Sequence, residues 1–156
     1  MRFLLAAVAA TTALLAIAPS YAGPNETAFL NRLAGTFSGN GRLSGGENGP
    51  ISCKLVLKPN AGKLNYTGRC TVQDLGGQGF SGSVTYNDAT KHYEARSAAG
   101  TVIGVRRGSS LVFTTKSTRM GGSTYSTMSI SPSRITIDFT LVRQGEKTTS
   151  HVTFSK

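Results

Sequence analysis

Tryptophan is missing from these 156 residues, histidine and cysteine occur twice each, and Asp and Glu together number only seven. Each scarcity removes a class of chemistry. A structural or catalytic zinc site needs three or four converging ligands, and His92 and His151 stand far apart, each on the polar side of its predicted strand. Paired-carboxylate glycoside hydrolysis needs two acids flanking one bond, whereas Glu26, Glu47, Asp74, Asp88, Glu94, Asp138 and Glu146 mostly fall in turns or on polar faces. A Ser-His-Asp relay would require one of the two outward histidines beside an acid, and no Gly-x-Ser-x-Gly elbow occurs. The glycine clusters GGENG, LGGQG and MGG lack the strand-to-helix setting of a phosphate loop and read as hairpin turns. No cofactor is implied, and a non-enzymatic role is expected.

Long apolar runs are lacking too, except at the start. MRFLLAAVAATTALLAIAPSYA carries one positive charge at Arg2, an apolar stretch from Phe3 to Ala18, a breaker at Pro19 and small residues at Ser20 and Ala22. That is the layout of a signal peptide cleaved after Ala22. A membrane anchor is the alternative, but the run falls short of the ~20 residues a spanning helix needs. No cysteine follows the cleavage site, so a lipoprotein is not indicated. The reading is therefore a signal peptide over 1–22 and a single domain over 23–156, placed in the periplasm or secreted from a bacterium, and not membrane-spanning.

Negative charge is the remaining shortage. Seventeen Lys and Arg give a formal charge of +10, or +9 once Arg2 is removed with the leader. A basic surface attracts polyanions, including an acidic partner in the cell envelope, although solubility alone also accounts for it. Arg106-Arg107 is the one adjacent pair of cations, and this dispersion argues against specific nucleic-acid binding.

What the chain does contain is alternation. NETAFLNRLAG (25 to 35) predicts one short helix, capped by Asn25, with Phe29, Leu30 and Leu33 on one stripe. From Thr36 onward the period is two, with turn residues every eight to twelve positions. Ten strands are predicted: 36–43, 51–58, 63–72, 80–86, 91–98, 101–107, 110–118, 123–131, 134–144 and 147–155. Short links join antiparallel neighbours, so the fold class is all-β, an antiparallel up-and-down barrel of about ten strands with one short N-terminal helix. Its outward positions are Ser, Thr, Lys, Arg and Asn, unlike the apolar exterior of an outer-membrane barrel.

Within ISCKLVLKPNAGKLNYTGRC, a turn on Ala61 and Gly62 sets Leu57 opposite Tyr66 and Cys53 opposite Cys70. The same register gathers Ile51, Leu55, Leu57, Leu64, Tyr66 and Val72 on the cysteine face, with Val56 the one exception. A one-residue slip would invert every side chain, so the agreement specifies the pairing. The expected role of the cysteines is a structural disulfide, since redox pairs usually read Cys-x-x-Cys. In the first strand Gly39 and Gly41 share a face with Phe37 and Leu43, which predicts a sharp bend or a close approach rather than a ligand contact.

Gly35-Thr36-Phe37 opens that strand just after the short helix. A short helix, Gly-x-Trp, then an antiparallel meander is the layout of the calycin group of lipocalins, fatty-acid-binding proteins and nitrobindin-like barrels, which this chain resembles with Phe37 in place of the tryptophan. The Gly-x-aromatic-x-Gly-x-Gly opening with two strand cysteines is also similar to small exported proteins of alphaproteobacteria. The resemblance implies the barrel architecture and carries over no ligand residue; the haem-binding His of nitrobindin-like proteins has no assignable counterpart.

Eight strands leave an interior just filled by side chains, and ten leave more room. The predicted lining is Phe37, Leu55, Tyr66, Phe80, Val84, Tyr93, Ile103, Phe113, Met128, Ile137, Phe139 and Phe154, which suits either a cavity or a solid core. If a cavity, Phe37, Tyr66, Tyr93, Phe113 and Phe139 are the candidate contacts for an amphiphilic small molecule or lipid. Arg107 and Arg143, at strand ends in the expected inward register, are candidates for an anionic head group. The alternative function is an envelope protein-interaction module, such as an inhibitor, chaperone or immunity-type partner. It would act through Lys54, Lys58, Arg69, Arg96 and Arg106. A monomer is expected in either case.

Overall fold

The structure is a computed structural model that describes residues 23–119 and 121–156; the expected leader, residues 1–22, lies outside the described residues. It begins with α1 (Pro24–Arg32), in which Pro24 pre-sets the first turn, Glu26 lies at the positive end of the helix dipole and Arg32 at the negative end. Gly23, not Asn25, is the N-cap residue. The proline at the first helical position moves the cap two residues upstream. Phe29, Leu30 and Leu33 are buried, as their stripe predicts.

Ten strands follow: β1 (Gly35–Ser44), β2 (Gly49–Asn60), β3 (Lys63–Val72), β4 (Gly76–Asn87), β5 (His92–Ser97), β6 (Gly100–Arg107), β7 (Ser110–Arg119), β8 (Gly122–Ile130), β9 (Arg134–Arg143) and β10 (Glu146–Ser155). Each pairs with its sequence neighbours, and β10 returns to β1 to close an antiparallel barrel. Among the described residues no helix is long and apolar enough to cross a membrane. The helix covers one end of the barrel, called here the plugged end, where β1 begins and β2 finishes. The opposite, open end holds the links β1–β2, β3–β4 and β9–β10.

The β2–β3 hairpin has the register read from its residues. Ala61 and Gly62 have φ of 46° and 78°, the doubly positive geometry of the type I′ turns that match strand twist. Cys53 faces Cys70 across the ladder and the two sulfurs are bonded. Closing a loop of this length contributes about 3 kcal/mol through the unfolded chain. Two expectations need correction. β4 starts at Gly76 rather than residue 80, because the GGQG run continues the ladder opposite Arg69 to Val72. β6 has the opposite register: Val102 and Gly104 face in, and Ile103, expected in the lining, is 49 % exposed. Both alternating sets of TVIGVRR contain apolar residues, and Gly104 is the one that fits inside.

It fits because an aromatic ring occupies its place. Gly104 lies directly opposite Phe113, and a Cβ added to it would meet that ring at 2.4 Å. The same arrangement recurs at Gly39 opposite Phe154 (2.5 Å), Gly68 opposite Phe80 (2.3 Å) and Gly82 opposite Tyr66 (2.4 Å). At four places on the inner wall, then, an aromatic side chain occupies the space beside the glycine of the neighbouring strand, a device that fills the gap left by a glycine in a curved sheet. Backbone also crowds two of the inward glycines: a Cβ on Gly41 would strike the backbone oxygen of His151 at 2.1 Å, and one on Gly82 would strike that of Arg96 at 2.2 Å as well as the Tyr66 phenol.

A methyl group at one of these glycines has nowhere to go. Gly68→Ala should lower the unfolding free energy by about 1–3 kcal/mol in urea titrations. Gly79→Ala, where the nearest atom is 3.8 Å away, should cost much less. Combining Gly68→Ala with Phe80→Leu should recover part of the loss, and equal costs at Gly68 and Gly79 would contradict the ring-on-glycine account.

Candidate functional site

Rings laid along the wall leave the axis of the barrel open. A cavity of about 300 Å³ lies there, bounded by Leu55, Leu57, Tyr66, Phe80, Ser81, Val84, Ser97, Met128, Ile130 and Ile137. Leu55 and Leu57 come from β2 and Tyr66 from β3, while Met128, Ile130 and Ile137 enter from β8 and β9 on the far side. No charged side chain is among them. The polar groups are three hydroxyls. The Tyr66 phenol passes over the bare Cα of Gly82, whose Cβ would sit 2.4 Å from the phenolic oxygen, and points toward the Ser97 hydroxyl on β5. Burial raises the Tyr66 pKa above its ordinary value and the nearby Ser97 hydroxyl partly offsets that, so the group stays a neutral phenol.

The plugged end is held by a cluster built on α1. Glu26 accepts a hydrogen bond from the Tyr93 hydroxyl and pairs with the Arg106 guanidinium at 3.8 Å. Phe29 is packed between them, its ring centre 5.6 Å from that of Tyr93, with the Arg106 guanidinium 4.1 Å away over its face. Tyr86 meets Tyr93 edge-on at 5.0 Å. Such cation–π and edge-to-face contacts each contribute of order 0.5–1.5 kcal/mol. This end is a fastened lid.

The sequence-predicted site residues therefore divide. Tyr66 lines the cavity. Tyr93 is buried and bonded to the plug, Phe113 lies over Gly104, and Phe37 is wholly buried with the Lys156 ammonium 5.3 Å from its ring centre. Phe139 is half-buried in the inward register, opposite Ser126 and Ser150 in the open half of the barrel. Arg107, expected to face in, is exposed on the outer wall at the plugged end, because Arg106 opposite Leu111 takes the inward position. Arg143 faces Glu146 at the open end and borders a separate hollow with Leu141 and Thr148. The two arginines are thus at opposite ends and share no mouth. Sequence reasoning missed Leu57, Ser81, Ser97 and Ile130 as cavity residues. Leu57 and Ile130 were available from alternation, but Ser97 reaches the cavity only because Gly82 admits the phenol to it.

Two polar groups on the outer wall also gain partners. Glu94 is 8 % exposed, accepts from Arg96 at 2.6 Å and from Asn87 at 2.7 Å, and these bonds hold its carboxyl below the usual range. His151 does stand beside an acid: its Nδ1 is 2.6 Å from Asp138 and its Nε2 is 3.1 Å from Thr153 Oγ1. The row has the order of a nucleophile relay, but His151 and Asp138 are both more than half exposed. Thr153 is laddered on both sides, which leaves no free backbone N–H beside it to stabilise an oxyanion. Among the described residues no group of three or more His, Cys, Asp or Glu could hold a metal ion.

No protein family matches the sequence, and no curated protein does. Solved structures do match in fold. The S-type phycobiliprotein lyase CPES from Guillardia theta superposes with a TM-score of 0.59 at 10% identity, over 83% of this chain and 90% of that one. Rv2717c from M. tuberculosis gives 0.59 at 12% identity, over 86% and 98%. Both are calycin-like ten-strand antiparallel barrels, so the architecture implied by the opening motif holds. One of the two is named a lyase, and the fold is therefore compatible with an enzyme as well as a carrier.

Tyr93 gives the plug a pH dependence. Burial, then the Glu26 carboxylate, raise its pKa well above the ordinary 10.0, with Arg106 opposing. The stability gained from the neutral phenol is complete below pH 10 and is lost as pH climbs toward the raised value. Tyr93→Phe should lower stability at neutral pH by about 1.5–3 kcal/mol, the range for a hydrogen bond to a charged group. It should also flatten the alkaline limb of a stability-versus-pH curve, leaving the smaller contribution of Tyr66. An unchanged alkaline limb would contradict the assignment.

Proposed function

We propose that the protein is an exported bacterial binding protein, periplasmic or secreted, that carries an apolar or amphiphilic small molecule inside its barrel as a monomer. The apolar stretch from Phe3 to Ala18, with Pro19 and the small residues Ser20 and Ala22 after it, is what supports that setting. The observation that carries the binding reading is the apolar cavity of about 300 Å³ between β2–β4 and β8–β9. It is at the lower end of small-molecule pockets. An apolar hole of about 150 Å³ already takes up a benzene-sized guest, so this one has room for a ligand of two or three rings or a short hydrocarbon chain. A group with an anionic head would have to extend it beyond the cavity, since no Lys or Arg lines the wall.

A second reading rests on the outer wall. Arg42, Lys54, Lys58, Lys63 and Arg69 project outward from β1, β2 and β3, strands without a single acid, and among the described residues none of the five is in an ion pair. That face suits an acidic macromolecule held by salt-sensitive attraction.

One preparation separates the two. The mature protein would be purified at low salt, washed at high salt, then denatured and extracted for mass spectrometry. The binding reading predicts a small apolar molecule in the extract. It also predicts a rise in Tm on adding back the right lipid or aromatic compound, since a hundredfold excess over Kd stabilises by about 2.7 kcal/mol. An empty extract with no thermal shift, together with an acidic macromolecule released by the salt wash, would replace it with the second reading.

A further inference from the structure

The barrel wall is incomplete at one place. β5 has 6 residues and β6 has 8, while the other strands have 9 to 12. The β4–β5 ladder ends at Gly82 opposite Ser97, and the β6–β7 ladder ends at Gly104 opposite Phe113. Beyond those pairs, Gly76 to Ser81 of β4 are laddered to β3 alone, and Thr114 to Arg119 of β7 to β8 alone. The β5–β6 hairpin thus stops at mid-height, level with Tyr66, and the open half of the wall between β4 and β7 has a notch above it.

The cavity reaches that notch. Phe80, Ser81 and Ser97 bound the cavity and also flank the gap. Ser81 is decisive, because it occupies an outward register position on β4 and is exposed, so a cavity that touches it passes through the wall there. The Phe80 ring, laid over Gly68, is drawn back along the wall beside the opening. At the inner edge stand the Tyr66 phenol and Ser97, the polar pair made possible by Gly82. Everything deeper is hydrocarbon, and neither a cation nor a carboxylate is present to neutralise a buried charge.

From this, resting on the binding reading above, we infer that the ligand is neutral and apolar with one hydrogen-bonding group, and that it enters sideways through the notch between β4 and the β5–β6 hairpin. Its apolar body lies against Met128 and Ile137 and its polar atom stays at Tyr66 and Ser97. An anion is disfavoured because burying an unpaired charge costs several kcal/mol even after relaxation. The plugged end is fastened by Glu26, Tyr93 and Arg106, so entry there would require breaking their hydrogen bond and ion pair.

N-phenylnaphthylamine and its sulfonated relative anilinonaphthalene sulfonate share an aromatic skeleton and differ in charge, and both fluoresce on entering an apolar site. With the purified mature chain, the neutral probe should bind at least about tenfold more tightly, a difference of about 1.4 kcal/mol. Ser81→Trp should slow its association by about tenfold in stopped flow. Leu141→Trp, at the open end, should leave the rate unchanged. Since the chain has no other Trp, energy transfer from residue 81 to the probe reports its passage directly. Tyr66→Phe should weaken binding about threefold to tenfold, the worth of one hydrogen bond. Circular dichroism and Tm would verify that each variant is folded, and Ser81→Leu serves where the indole disrupts the strand.

Tighter binding of the sulfonate overturns the ligand class. Association slowed by Leu141→Trp and indifferent to Ser81→Trp overturns the sideways route while leaving the binding reading intact. No binding of either probe, with an empty solvent extract, overturns the binding reading itself.

Discussion

Everything inside this barrel depends on four aromatic rings lying over four glycines. A ten-strand barrel has more interior than a single layer of inward side chains fills. Side chains pointed at the axis would close much of it. Here Phe154, Phe80, Tyr66 and Phe113 instead lie along the wall, each in the space that the opposite glycine leaves vacant. The wall is thickened, the curvature that glycine permits is stabilised by ring burial, and the centre stays open. The Tyr66–Gly82 pair has a second effect, because the phenol crosses to a third strand and sets its hydroxyl beside Ser97. Structure and binding chemistry are thus one arrangement at that position.

The two halves of the barrel are built differently. The plugged half is held by α1, too short at nine residues to be stable alone and secured by the Glu26, Tyr93 and Arg106 contacts around Phe29. Deeply buried groups such as Leu33, Phe37, Leu64, Leu111 and Ile135 concentrate there. In the open half the inward positions of β7, β8 and β10 turn to hydroxyls, with Thr115 and Ser126 bonded to each other at 3.0 Å and Ser150 opposite Phe139. The plug and the main core thus occupy one end, and the short β5–β6 hairpin leaves the wall incomplete toward the other.

Much of this was legible in the residues, and the failures have identifiable causes. The β2–β3 hairpin could be set to the residue because a turn, two cysteines and a hydrophobic face all demanded one register. β6 failed because Ile103 and Val105 are more apolar than Gly104 and Arg106, and alternation counts side chains without knowing that a ring from β7 needs a glycine beneath it. That single inversion turned Arg107 inward on paper and left Arg106, a partner of the plug, on the surface. Gly39 was recognised as a place of close approach, but the approaching group, Phe154, is more than a hundred residues away in sequence. Phe37 and Tyr93 were correctly expected to face the interior, yet a linear pattern does not tell core from cavity wall. Ser97 carried no signal at all.

The central claim is that rings placed beside glycines leave an open, apolar centre. Xenon tests it most directly, because a gas with no polar chemistry enters such a space in proportion to the room available. Crystals pressurised with xenon should show a strong peak among Leu57, Tyr66, Phe80, Met128 and Ile137, with the four rings still beside their glycines. Absence of xenon, with Met128 and Phe80 folded into the axis, would contradict the account.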